Sequence, residues 1–214
     1  MTNLHRVGLK FLAAVLLTAT LGIVTVTAQS PLLAAEARGI RGRAQFSTGG
    51  GPFQPLKSGT ALRPGDVVQT ATDSAVDIYL GPAAGTVRLT ETATMSIDKM
   101  LVSDTNSEVE LNLKAGELLG NVSPSAGTSK FVVKAAAGMG AMVKGQFRFD
   151  SRGYVVLVDG KAIFVTTPET GDPVAHTLSA PPAVYFSPGT GVQPAPAQLV
   201  KEVQKQAKAR LPKG

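Results

Sequence analysis

The sequence predicts an all-β protein: a single β-rich domain of short strands, then a Pro-rich segment and a short C-terminal helix. Three observations carry that reading. Apolar and polar residues alternate, with Val76, Ile78 and Leu80 set around Asp77 and Tyr79, and Val109, Leu111 and Leu113 around Glu110 and Asn112. Such a period of two places the apolar side chains on one face of a strand. Next, 23 Gly and 14 Pro break the 214 residues into short pieces. Finally, no stretch between residues 44 and 166 has a 3.6-residue apolar period. Aromatic residues make up only 5% and Trp is absent, so Val, Leu, Ile, Ala and Met must build the core, which suits narrow β layers.

Taken in order, Met1–Lys10 carries Arg6 and Lys10 and no acid, and Phe11–Val26 is an uncharged, largely apolar run. This is the charged and apolar pattern of a secretory signal peptide, expected to span residues 1–28 with cleavage after Val26-Thr27-Ala28. A second small-residue site is Ala35-Glu36-Ala37, and an uncleaved anchor is the alternative, because the run approaches bilayer-spanning length. Residues 29–43 read as a basic leader whose Arg38, Arg41 and Arg43 are solvated. The β domain is expected over residues 44–166. Its organising stretch is Leu62–Leu80, in which Pro64-Gly65-Asp66 and Thr72-Asp73-Ser74 turn the chain around short strands. Lys114-Ala115-Gly116-Glu117 echoes the first turn, and Val158-Asp159-Gly160-Lys161 echoes it more loosely. The spacings differ, so this is one turn-strand idea reused, fitting a β-roll, a short solenoid or a sandwich.

Seven prolines between residues 167 and 196 leave pieces too short for core strands. Val184-Tyr185-Phe186 and Val192, around Ser187-Pro188-Gly189, still suit a terminal hairpin covering an open edge. Over residues 197–212 the pattern becomes helical, with Leu199, Val203, Ala207 and Leu211 on one stripe and Pro212 as the stop. Leu199 and Val203, with Lys201, Lys205 and Lys208 beside them, are the candidate partner-binding residues. They suit an acidic or anionic surface, the rival being a helix folded back on its own β module.

Composition narrows the function. The chain has no Cys, which excludes disulfides and thiolate metal sites. The formal net charge of +6 falls on the N-terminal peptide and the C-terminal tail, and no basic face is interleaved with aromatics, so no nucleic-acid partner is expected. Gly138, Gly140 and Gly145 lack the Lys-Ser/Thr of a phosphate loop and read as close strand approach or a bulge. Ser96 and Lys99 match S-x-x-K, but Ser96 falls on a strand as a solvated hydroxyl and no Lys-Thr-Gly follows. His176 reads as a loop residue, and the scattered Asp residues as turn formers.

Between Pro55 and Val165 the order of motifs resembles the FecR domain family, the periplasmic module of some bacterial signalling proteins. The residues that carry the likeness are Gly65-Asp66-Val67-Val68, Ile78-Tyr79-Leu80, Val87-Arg88-Leu89, Val109–Leu113, Gly116-Glu117-Leu118 and Phe131-Val132-Val133. Near the end, Met142-Val143-Lys144-Gly145-Gln146-Phe147 stands where such domains carry hydrophobic-Arg-Gly-Thr-x-Phe. Lys replaces Arg and Gln replaces Thr. The resemblance implies an exported β module in the periplasm or outer envelope, with Gly65, Asp66, Gly116, Lys144, Gly145 and Phe147 as structural signature residues. Only ten residues precede the apolar run, where sensory relatives carry a sigma-factor-binding region. The expected function is therefore a non-catalytic envelope protein that binds a protein or glycan partner without a cofactor or metal. The alternative is an anchored component of a signalling system.

Overall fold

The computed structural model describes residues 34–122, 129–166 and 171–209. The expected signal peptide lies outside them. The first strands are β1 (Ala35–Arg41), β2 (Ala44–Ser47), β3 (Gln54–Pro55), β4 (Ala61–Leu62), β5 (Val67–Thr70) and β6 (Ala75–Gly81). There follow β7 (Gly85–Leu89), β8 (Thr94–Val102), β9 (Ser107–Ala115), β10 (Glu117–Val122), β11 (Ser129–Ala135) and β12 (Gly138–Asp150). The last are β13 (Val155–Leu157), β14 (Gly160–Thr166), β15 (Val174–Ala180), β16 (Val184–Ser187), β17 (Gly191–Pro194) and the helix α1 (Ala197–Lys208). The all-β expectation holds.

The strands form one curled sheet that folds into two facing layers. The front layer runs β3-β2-β5-β8-β9-β11-β12-β14-β15. The back layer runs β4-β1-β6-β7-β10-β12-β13-β16-β17. Among the described residues, only β9 and β11 pair in parallel. β12 belongs to both layers: Gly138–Met142 pairs with β11 in front, and Gly145–Asp150 pairs with β10 behind. The strand turns the corner at a bulge between Met142 and Lys144, where one extra residue bends it.

Gly145 sits at that corner with φ +112°, and a Cβ there would lie 1.8 Å from the Asp159 carbonyl oxygen, so only glycine fits. The echoed turns of the sequence are other corners. Gly65 leads from β4 behind to β5 in front, Gly116 from β9 in front to β10 behind, and Gly160 from β13 behind to β14 in front. A Cβ on Gly116 would meet the Ala93 Cβ at 2.4 Å. The repeated motif therefore marks places where the chain changes layer. Its spacing is unequal because five strands, β5 to β9, separate Gly65 from Gly116 and four, β10 to β13, separate Gly116 from Gly160.

The core lies between the layers and is aliphatic, as the composition requires, with a small aromatic cluster at one end. Phe131 in front meets Phe147 behind edge-on at 5.9 Å, Phe149 meets Phe164 at 5.6 Å, and Phe164 meets Phe186 at 4.8 Å. Ile78, Leu80, Leu111 and Leu113 are fully buried, as their alternation predicts.

Four expectations need correction. The supposed leader contains β1, paired with β4 and β6. Its Ala35 and Ala37 are buried, while Arg38 is exposed as expected, its guanidinium lying 3.5 Å above the Tyr79 ring. The small inward residues Ala35, Ala37 and Gly39 let that strand enter the layer despite Arg38 and Arg41 on its exposed positions. The Pro-rich segment yields a full core-contacting strand, β15, because Pro173 and Pro181 fall just outside its ends and Leu178 is buried. His176 lies on that strand, its ring 4.6 Å from that of Phe186. Ser96 is only 9% exposed and donates to Asp98 Oδ1 at 2.9 Å, since the bulge between Ile97 and Lys99 turns Asp98 back over it.

Candidate functional site

Each layer has an outer face, and the two are finished differently. On the back, alternation turns Leu119, Val156 and Tyr185 outward while Leu118, Val155 and Phe186 point into the core. α1 lies over these outward residues. Val203 is fully buried between Leu119 and Val156, with Leu199, Ala207, Val158 and Tyr185 packed around them. The end of the helix is capped by Arg88, whose guanidinium donates to the carbonyls of Gln206 and Ala209. The last carbonyls of a helix lack internal partners and carry partial negative charge, so a guanidinium is well placed there. Arg88 is itself fixed by a two-pronged pair with Asp77, at 2.6 and 2.8 Å.

Of the two readings of the tail, this arrangement fits the helix folded back on its own β module, with Leu199 and Val203 packed on the sheet. The apolar stripe is consumed in covering the chain's own sheet, because outward Leu119 and Val156 supply a complementary apolar strip. Lys201, Lys205 and Lys208 remain exposed. A cleft of about 720 Å³ opens under the end of α1, bordered by Arg41, Arg148, Arg152, Glu117, Glu202 and Lys205. Its charges answer one another: Arg152 pairs with Asp150 at 2.6 Å, and Arg148 stands 3.9 Å from Glu117 and 3.7 Å from Glu202.

The front outer face is bare of any helix among the described residues, and three zones follow one another across its strands. The first, on β2, β5 and β8, is a groove of about 640 Å³ lined by Arg43, Gln45, Gln69, Thr92 and Thr94, with Pro55 and Leu56. Strand register sets Gln45 opposite Gln69 and Gln69 opposite Thr94. Gln45 Nε2 donates to Gln69 Oε1 at 2.9 Å, leaving further amide donors and acceptors for the groove.

The second zone, on β8, β9 and β11, is an ion-pair ladder. Lys99 meets Glu108 at 2.8 Å, Lys130 meets Glu108 and Glu110 at 3.1 and 3.0 Å, and Lys134 meets Glu110 at 2.8 Å and Asp98 at 3.6 Å. Hydrogen bonds from Lys134 and then Lys130 hold the Glu110 carboxyl down to about 2. The same contacts, with Glu110 foremost, raise Lys130 and Lys134. Lys99 of the S-x-x-K match is thus committed to Glu108, and Ser96 to Asp98.

The third zone, on β12, β14 and β15, is apolar and basic. Met139, Val143 and Ile163 are 39%, 51% and 44% exposed. Lys144 and Lys161 are exposed there and stand directly opposite each other in the β12–β14 register.

The signature residues are brought to corners and core, not to one site. Asp66 is 3% exposed, accepts from the Arg63 backbone N–H at 2.8 Å on Oδ2, and locks the turn at Gly65, whose N–H donates to Ile97. Phe147 is fully buried and its ring covers Gly120. Gly116 and Gly145 are layer corners, and Lys144 alone faces solvent on the front. Sequence reasoning missed the Gln45–Gln69 pair and the Lys144–Lys161 pair because each joins residues far apart through register. The usable signal was only that each residue is polar on the outward phase of its strand.

Among the described residues, no three or more His, Asp or Glu side chains gather as a metal site, and no helix is long and apolar enough to cross a membrane. These features define an all-β domain of two facing layers with one outer face covered and one open. Comparison with protein-family models, characterised proteins and solved structures finds no match to this chain.

Proposed function

We propose that the chain is a non-catalytic, exported envelope protein whose FecR-like β module binds a glycan along the groove of its front face. The observation that carries this reading is the Gln45–Gln69 amide pair set beside Thr92, Thr94 and Arg43 in a groove of about 640 Å³. Amides and hydroxyls both donate and accept, which matches the hydroxyl groups of a sugar, and Pro55 offers an apolar surface for its C–H face. Export is supported by the charged and apolar pattern of residues 1–28, and the FecR likeness by the motif order from Pro55 to Val165.

Two experiments test it. Titration with a β-linked N-acetylglucosamine oligomer, followed by amide chemical shifts, is expected to move Gln45, Gln69 and Thr94 saturably, with weaker binding in Gln69→Ala. No saturable shift, or equal binding by Gln69→Ala, removes the glycan reading. Intact mass of envelope-recovered protein is expected to begin near Gln29. Retention of Met1–Ala28 would favour the anchored signalling alternative.

A further inference from the structure

We propose that the third zone of the front face is a contact surface for an anionic lipid bilayer. It lies on strands other than those of the groove and does not depend on the glycan reading. Like charges directly opposite each other on a sheet are unfavourable unless something negative lies nearby. Lys144 and Lys161 are such a pair, and no carboxylate among the described residues pairs with either, although every lysine of the neighbouring ladder has one or two. The two lysines are also held rigidly together. Gly145 and Gly160 allow their strands to approach so closely that a Cβ on Gly160 would lie 1.9 Å from the Lys144 carbonyl oxygen.

The surroundings select the occupant. Val143 projects at the bulge between the two strands, and Ile163 and Met139 continue the exposed apolar strip away from the lysines. Protein interfaces are anchored by Trp, Tyr and Arg in pockets, whereas this strip has none of them and borders neither of the described clefts. A second copy docked patch to patch would gather four lysines. An anionic bilayer instead offers many phosphates to two point charges and an acyl boundary to Met139, Val143 and Ile163.

The test is flotation of the full chain with vesicles of phosphatidylcholine alone and with about one third phosphatidylglycerol. Binding is expected to favour the anionic vesicles, to weaken in high salt, and to fall about five-fold for each of Lys144→Gln and Lys161→Gln. The variant K201Q/K205Q/K208Q, altered on the opposite face, is expected to bind as the parent does. Because the N-terminal apolar run can itself partition into bilayers, a second readout is local. The chain has no cysteine, so Val143→Cys and Lys201→Cys each accept a single polarity-sensitive dye. A blue shift at position 143 and none at 201, only on anionic vesicles, supports the surface. No shift at 143, a shift equal on both vesicle types, or one that survives K144Q/K161Q, overturns it.

Discussion

The two outer faces of this protein solve the same problem in opposite ways. Both layers turn aliphatic side chains outward at some positions. On the back, Leu119 and Val156 are 3% and 1% exposed because α1 lies over them. On the front, Ile163 and Met139 remain 44% and 39% exposed. The difference is one of charge as much as cover. The back supplies Arg88 to cap the helix end, with Asp77 to hold that arginine, so a polar frame surrounds the apolar strip. The front keeps its charges in an independent ladder beside the apolar strip, and no carboxylate among the described residues pairs with Lys144 or Lys161. An outward apolar strip thus becomes internal core where a helix can be anchored, and remains free surface where the neighbouring charges pair with each other.

Substitutions can sharpen or break this contrast. The largest effect belongs to neither outer face: Leu111→Ala, in the shared core, is expected to cost about 2–5 kcal/mol in denaturant unfolding. Val203→Asp places a charge beneath α1 and is expected to cost about 2–4 kcal/mol, with loss of amide protection over residues 199–208. Arg88→Ala removes the helix cap and strands Asp77, an expected loss of about 1–3 kcal/mol. If Arg88→Ala leaves α1 protected, the polar frame is not what holds it.

Acid titration isolates the front ladder. Glu110 is held from 4.5 down to about 2 in the folded protein. A carboxyl with a depressed folded value stabilises the fold above its unfolded value and loses that contribution as the pH falls toward the folded one. Stability is therefore expected to drop between pH 4.5 and 2 more steeply in the parent than in Glu110→Gln. The smallest effect is expected at the bare strip, where Ile163→Ser should change stability by less than about 0.5 kcal/mol. A larger loss would mean that Ile163 is covered.

How far the sequence foretells this depends on whether a feature is local. Alternation in Val76–Leu80 and Val109–Leu113 identifies the inward residues directly, and the Gly65, Gly116 and Gly160 turns prove to be three of the layer corners. β1 and β15 escape notice because arginines and prolines mask them, while pairing with neighbours distant in sequence overrides local preference. The helical stripe of α1 is legible, but not its target, since Leu119 is recognised as outward only when Leu118 is known to be inward. The groove amides Gln45 and Gln69 are brought together by register alone, so no local motif announces them.

The contrast between the faces rests on α1 being a cover for its own sheet, and truncation after Pro196 tests that most directly. The account predicts a melting temperature several degrees lower, because Leu119, Val156 and Tyr185 lose their partner, together with a tendency of the truncated protein to associate through the exposed strip. An unchanged melting temperature and a monomeric truncated protein would contradict it.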